Sequence, residues 1–177
     1  MPLDHANPPP GALPLLVTQY AITGHPRRSE HWAFVIARNA REGDLHELRG
    51  NKDSFTYVVE RSARFAAAIA IRGGVHVGWV QPTPAALKHF IGVLQTDVPV
   101  IHCDPLWDSQ NWTIEALRAL KDAGFVFRNI SESSLRKEMR DERERWELAD
   151  DVVYERLFAN GELCTSPISP TSATFQH

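Results

Sequence analysis

The chain has 177 residues, 43% of them hydrophobic, and a formal charge of −3. That length and apolar share suit one domain with a real core. The near-neutral charge gives no general pull toward nucleic acid or anionic lipid, and two cysteines, Cys103 and Cys164, are too few for a disulfide framework. They fit a reducing, cytoplasmic setting better than a secreted one. No apolar run approaches the roughly 20 residues of a membrane helix. The start, "MPLDHANPPPGALP", lacks the basic opening and apolar run of a signal peptide.

In chain order, residues 1–14 are rich in Pro and Gly and are expected to be a flexible lead. "LLVTQYAI" (15–22) is apolar and partly β-branched and predicts a strand, followed by the loop "TGHPRRSE". "HWAFVIAR" (31–38) predicts a second strand, with Trp32, Phe34 and Ile36 on one face and His31, Ala33, Val35 and Ala37 on the other. After the turn "NAREG", residues 44–50 predict a third strand in which Leu45 and Glu47 alternate with His46 and Leu48. Residues 54–61 predict a fourth. "ARFAAAIAIRG" reads equally as strand or helix, with Gly73-Gly74 expected to end it, and "VHVGWV" (75–80) is a further strand.

The pattern then changes. Thr83 as N-cap and Pro84 at the first helical position open a helix. "VPVIHCDPLW" is an extended connection to the clearest helix, "DSQNWTIEALRALKDAG", capped by Asp108 or Ser109 and ended by Gly124. Residues 133–161 read as one long charged helix whose mixed signs mark a solvated face. The Ser/Thr/Pro-rich tail after Gly161 is expected to be poorly ordered. Strands followed by helices predict an α+β fold, an antiparallel sheet packed on helices, as one domain over residues 15–160 with a flexible tail over 161–177.

His102-Cys103 resembles the opening of a phosphatase loop, but the chemistry does not follow. Residues 104–108 contain two aspartates and no glycine, and Ser109 stands where a phosphate-binding arginine is needed. Adjacent His102 and Cys103 cannot easily close a tetrahedral metal shell, and no second cluster has ligand spacing, so neither metal nor other cofactor is expected. Cys103 is expected to be a small buried residue near a strand end, with a backup role as nucleophile.

The start of the helix at 108–109 offers more. Exposed N–H donors and the positive end of the helix dipole stabilise a nucleophile's anion. His31 opens one strand, and His46 lies in the next. Facing strands could hold the two rings together below the helix start, one as base and one as its orienting partner. Trp32 and Trp112 are expected in the core, and His76 and His89 are expected to be structural. Glu47 should face away from His46 and receives no role.

"HWAFVI", "LHEL" and "DSQNW" together resemble, over roughly residues 15–123, the three motifs of the lecithin:retinol acyltransferase-like group. These are circularly permuted relatives of NlpC-type papain-like cysteine hydrolases. The resemblance implies a permuted papain-like core, to which this chain adds a C-terminal helix. It implies His31 as general base, His46 as its orienting partner and residue 109 as nucleophile. The backbone N–H of residue 109 would contribute to the oxyanion hole, with Gln110 and Asp108 as further cleft candidates. The reaction implied is hydrolysis or acyl transfer at an amide, ester or thioester of a small molecule or peptide, without a cofactor. The group has cysteine where this chain has Ser109, and a helix dipole cannot make an alkoxide from a serine. Ser109 is then an engineered exchange, the mark of a non-catalytic binding module, or the nucleophile of a true serine variant. A third function class is an interaction protein that uses the charged C-terminal helix.

Overall fold

The computed structural model describes residues 8–159 and Leu163. Five strands form one antiparallel sheet: β1 (Leu13–Ala21), β2 (Glu30–Ala37), β3 (Gly43–Arg49), β4 (Thr56–Ala63) and β5 (Ile71–Val80), in spatial order β4-β3-β2-β1-β5. Four helices follow: α1 (Pro84–Thr96), α2 (Ser109–Asp122), α3 (Glu132–Glu147) and α4 (Val153–Leu157). The α+β class and the antiparallel sheet are therefore as the strand and helix patterns indicate.

The alternation in β2 sorts as expected. Trp32, Phe34 and Ile36 enter the core beneath α1 and α2, with Trp112, Leu117 and Leu120. Ala33, Val35 and Ala37 enter a second, smaller core on the other face, with Leu16, Phe65, Tyr154 and Phe158. The central strands are thus buried on both faces, which is why they read as nearly continuous apolar runs.

Several boundaries differ from expectation, each for a local reason. Leu13 and Pro14 are not lead but strand, opposite Val80 and Trp79, and a turn bonding Ala12 N–H to Pro9 C=O precedes them. Residues 1–7 lie outside the described residues, as does the tail after 159 apart from Leu163, with Cys164 in it. The ambiguous stretch, residues 63–73, holds the last residue of β4, one 3₁₀ turn (Phe65–Ala67) and the start of β5 at Ile71. Gly73-Gly74 does not end anything. Gly73 takes φ 82 inside β5, at the register shift between Thr18 and Tyr20 of β1, and the strand continues.

The long charged helix is in fact two. α3 ends in a left-handed residue, Ala149 (φ 53), and the chain turns so that Val152, Tyr154 and Phe158 cover the second core. Near the end of β5, residues 125–127 extend the sheet. Trp79 N–H donates to Phe125 C=O (3.1 Å) and Phe127 N–H donates to Val77 C=O (2.9 Å). Gly78 permits that approach, since a Cβ there would lie 1.8 Å from the Phe125 oxygen. Among the described residues no helix is long and apolar enough to cross a membrane.

Candidate functional site

The site begins where two strands part. β2 and β3 pair only from Phe34 to Ala37 and from Gly43 to His46. The first half of β2 therefore has backbone groups with no partner on β3, and buried backbone groups must be satisfied. The first turn of α2 supplies the partners. Ser109 Oγ accepts from Trp32 N–H (3.3 Å), and Gln110 Nε2 donates to Glu30 C=O (2.9 Å). A helix start thus stands in for a strand edge, and it puts the buried Ser109 into the β2–β3 split.

Asp108 holds that helix start. Its extended backbone (φ −152) makes it the N-cap, and Oδ1 accepts from the N–H groups of Gln110 (3.0 Å) and Asn111 (3.1 Å). Its Oδ2 accepts from Arg27 (2.8 Å) and Arg28 (2.9 Å). Ser109 is the first helical residue rather than the cap. Both carboxylate oxygens of Asp108 are thus taken up as acceptors, by the helix start and by the two arginines. Gln110 is also committed, because its Oε1 accepts from Arg136 (3.1 Å) while its amide N–H holds Glu30.

His31 and His46 are not brought together. Phe34 lies opposite His46, so the two share a face, and His31, three residues earlier, points to the other. His31 Nε2 instead meets Glu47 Oε2 at 2.8 Å, across the same split that receives Ser109. Glu47 also accepts from Arg49 Nε at 2.6 Å. Burial pushes the Glu47 carboxyl up, but the hydrogen bonds from His31 and Arg49 outweigh it and hold the carboxyl below its ordinary value. Glu47 orients the ring through Nε2. In the neutral ring this puts the proton on Nε2 and a lone pair on Nδ1, which has no hydrogen bond among the described residues. No hydrogen bond joins His31 to Ser109 in this structure.

His46 is a core histidine. Its Nδ1 bonds the Tyr57 hydroxyl at 2.7 Å, its ring meets Phe90 edge-on at 5.0 Å, and Nε2 is buried without a partner. Glu47, not His46, is the residue that His31 meets, because strand alternation places neighbouring residues on opposite faces. Burial drives the His46 pKa down to about 4 against an unfolded value of 6.5. Between those values the unfolded chain carries a proton that the folded chain refuses, so stability falls as pH drops from about 7 to 4 and levels off below. A shift of that size corresponds to about 3 kcal/mol. Urea unfolding at pH 7 and pH 4 should show wild type losing about that much more than His46→Leu. Equal losses in the two proteins would contradict a buried, neutral ring.

Cys103 is exposed, not buried. It takes a left-handed φ of 59 while its N–H donates to Lys52 C=O (2.7 Å), which fixes the loop and turns the side chain outward. The neighbouring His102 is used by Phe55 C=O, which its Nε2 bonds at 2.7 Å. His76 stands edge-on to Trp79 and Phe127, and His89 lies against Phe125. Among the described residues there is no group of three or more His, Cys, Asp or Glu side chains that could hold a metal ion.

Fold and site define an α+β protein in which a helix N-terminus plugs the opening between two antiparallel strands, beside a histidine–glutamate pair. Residues 17–127 match the family described as "Family of unknown function (DUF6540)", and the chain belongs to that family. No curated protein and no solved structure matches the chain.

Proposed function

We propose that the chain is an acyl-transfer protein of the permuted papain-like type, acting at an amide, ester or thioester carbonyl of a small molecule or peptide. Residue 109 is the nucleophile position, His31 the general base and Glu47 its positioning partner. The observation that carries this reading is the His31–Glu47 pair, 2.8 Å apart, spanning the split that receives the first residue of α2. Glu47 occupies one ring nitrogen and leaves the other as a base.

In the reaction, the side-chain atom of residue 109 adds to the carbonyl carbon while its proton passes to His31 Nδ1. The leaving group departs with that proton, which leaves an acyl-enzyme. Water or another acceptor then gives its proton to His31 Nδ1 as it attacks the acyl carbon, and His31 returns that proton to the side-chain atom of residue 109 as it departs. The backbone N–H of residue 109, at the helix N-terminus, is a candidate donor to the oxyanion.

Ser109→Cys tests the reading, in a Cys103→Ser, Cys164→Ser background so that only the introduced thiol reacts. Iodoacetamide alkylation followed across pH should give a thiol pKa below the usual value of about 8.5. His31→Ala should raise it by a unit or more, as loss of a neighbouring imidazole does. An ordinary pKa that His31→Ala leaves unchanged would overturn the proposal.

A second reading, a non-catalytic binding module on the same fold, is favoured by one contact. Ser109 Oγ is occupied by Trp32 N–H and has no bond to His31. Nitrophenyl acetate separates the two. A stoichiometric burst from the native serine protein marks an enzyme. Acylation that appears only after Ser109→Cys marks a module whose site retains the geometry but not the nucleophile.

A further inference from the structure

The loop between β1 and β2 carries more positive charge than pairing with the buried Asp108 requires. Arg27 and Arg28 both reach the Asp108 carboxylate, at 2.8 and 2.9 Å, one residue before the nucleophile position. Two guanidiniums against one carboxylate leave one unit of positive charge there. The pairing also leaves donors unused. Arg27 bonds through Nη2 alone, to Asp108 and to Leu106 C=O, and Arg28 through Nε alone. Their other side-chain N–H groups have no hydrogen bond among the described residues.

The loop is fixed in this pose by His25, whose Nδ1 accepts from the backbone N–H groups of Arg27 (3.2 Å) and Arg28 (3.0 Å). In the neutral ring that places the proton on Nε2, a further donor without a partner among the described residues. Both arginines are held rather than waving in solvent, with side chains 32% and 23% exposed. A guanidinium anchored at one corner and open at the others matches the oxygens of a carboxylate or phosphate. A purely structural Asp108 clamp needs only one arginine.

Resting on the acyl-transfer reading, we infer that Arg27, Arg28 and His25 form an anion subsite beside residue 109. The acyl donor then carries a carboxylate or phosphate close to its scissile carbonyl. Asp108 sets the arginines and is not itself a ligand.

The test uses the Ser109→Cys protein in the Cys103→Ser, Cys164→Ser background and two thiol reagents that differ by one charge. These are 4-maleimidobutyrate and its neutral methyl ester. The ratio of their rates, referred to the same ratio for N-acetylcysteine, divides out the nucleophilicity of the thiol. It should be raised about tenfold, in line with one charge-assisted hydrogen bond. Arg27→Gln, which leaves Arg28 on Asp108, should return most of that factor. Acetate and inorganic phosphate as competitors identify the anion by which of them lowers the ratio at the lower concentration. A ratio equal to that of N-acetylcysteine, and indifferent to Arg27→Gln and to both competitors, would overturn the subsite. That result differs from failure of the nucleophile assignment, which is read from the iodoacetamide pKa alone.

Discussion

Trp112→Ala lowers the stability of the chain by about 3–5 kcal/mol, the range for removing a large buried aromatic side chain. Trp112 is fully buried, stacks on Tyr57 at 5.7 Å and meets Phe34 at 6.2 Å in an edge contact. It is the fourth residue of α2, so the same indole that fills the core presses the first turn of the helix into the β2–β3 split. Its Nε1 is buried without a hydrogen bond. Trp112→Phe removes that orphan donor along with some volume, and should therefore cost much less than Trp112→Ala. Urea unfolding checks both through the midpoint at unchanged slope. A loss below about 1 kcal/mol for Trp112→Ala would mean that the helix start is held by its polar contacts instead.

Glu142→Ala costs about 3 kcal/mol or more, the range for removing one partner from a buried ionic set. Glu142 is 6% exposed. Its Oε2 accepts from Val153 N–H at 2.8 Å and its Oε1 pairs with Arg156, which ties α4 to α3. Removing the carboxylate leaves the N–H and the guanidinium facing an emptied, largely buried position. The loss should be concentrated in α4, which carries Tyr154 over the second core. Hydrogen exchange should accelerate most at residues 152–158 and least in β1. Uniform acceleration would show that α4 is not a separate unit. This integration also bears on the reading of the charged helix as a detachable interaction element. Leu135 and Met139 of α3 are buried in the main core, and Gln19 Nε2 of β1 donates to Met139 C=O at 2.6 Å. Deleting the helix therefore removes part of the domain.

Local patterns carried much of the fold. Alternation in β2 told which residues face which core, Thr83-Pro84 marked one helix start to the residue, and Asp108-Ser109 marked another to within one residue. These signals are local because capping and pleating act over one to four residues. The break between α3 and α4 was hidden because Arg and Glu favour helix throughout, while the second core, far away in sequence, draws Val152 and Tyr154 out of it. The exposure of Cys103 was hidden for a similar reason, since its outward direction comes from a backbone bond to Lys52.

The candidate site divides along the same line. By itself the sequence determined that His31 lies at the start of β2, that α2 begins at Asp108-Ser109, and that His46 and Glu47 face opposite ways. Only the tertiary structure decided which of those two His31 meets. Both lie one strand away, so choosing between them needs the β2–β3 register and the point where the strands part. The sequence held one clue: a charged Glu47 sharing a strand face with apolar Leu45, where burial demands a partner. The partner is His31, brought into reach by a split that exists because the first turn of α2 satisfies the backbone of β2 in place of β3.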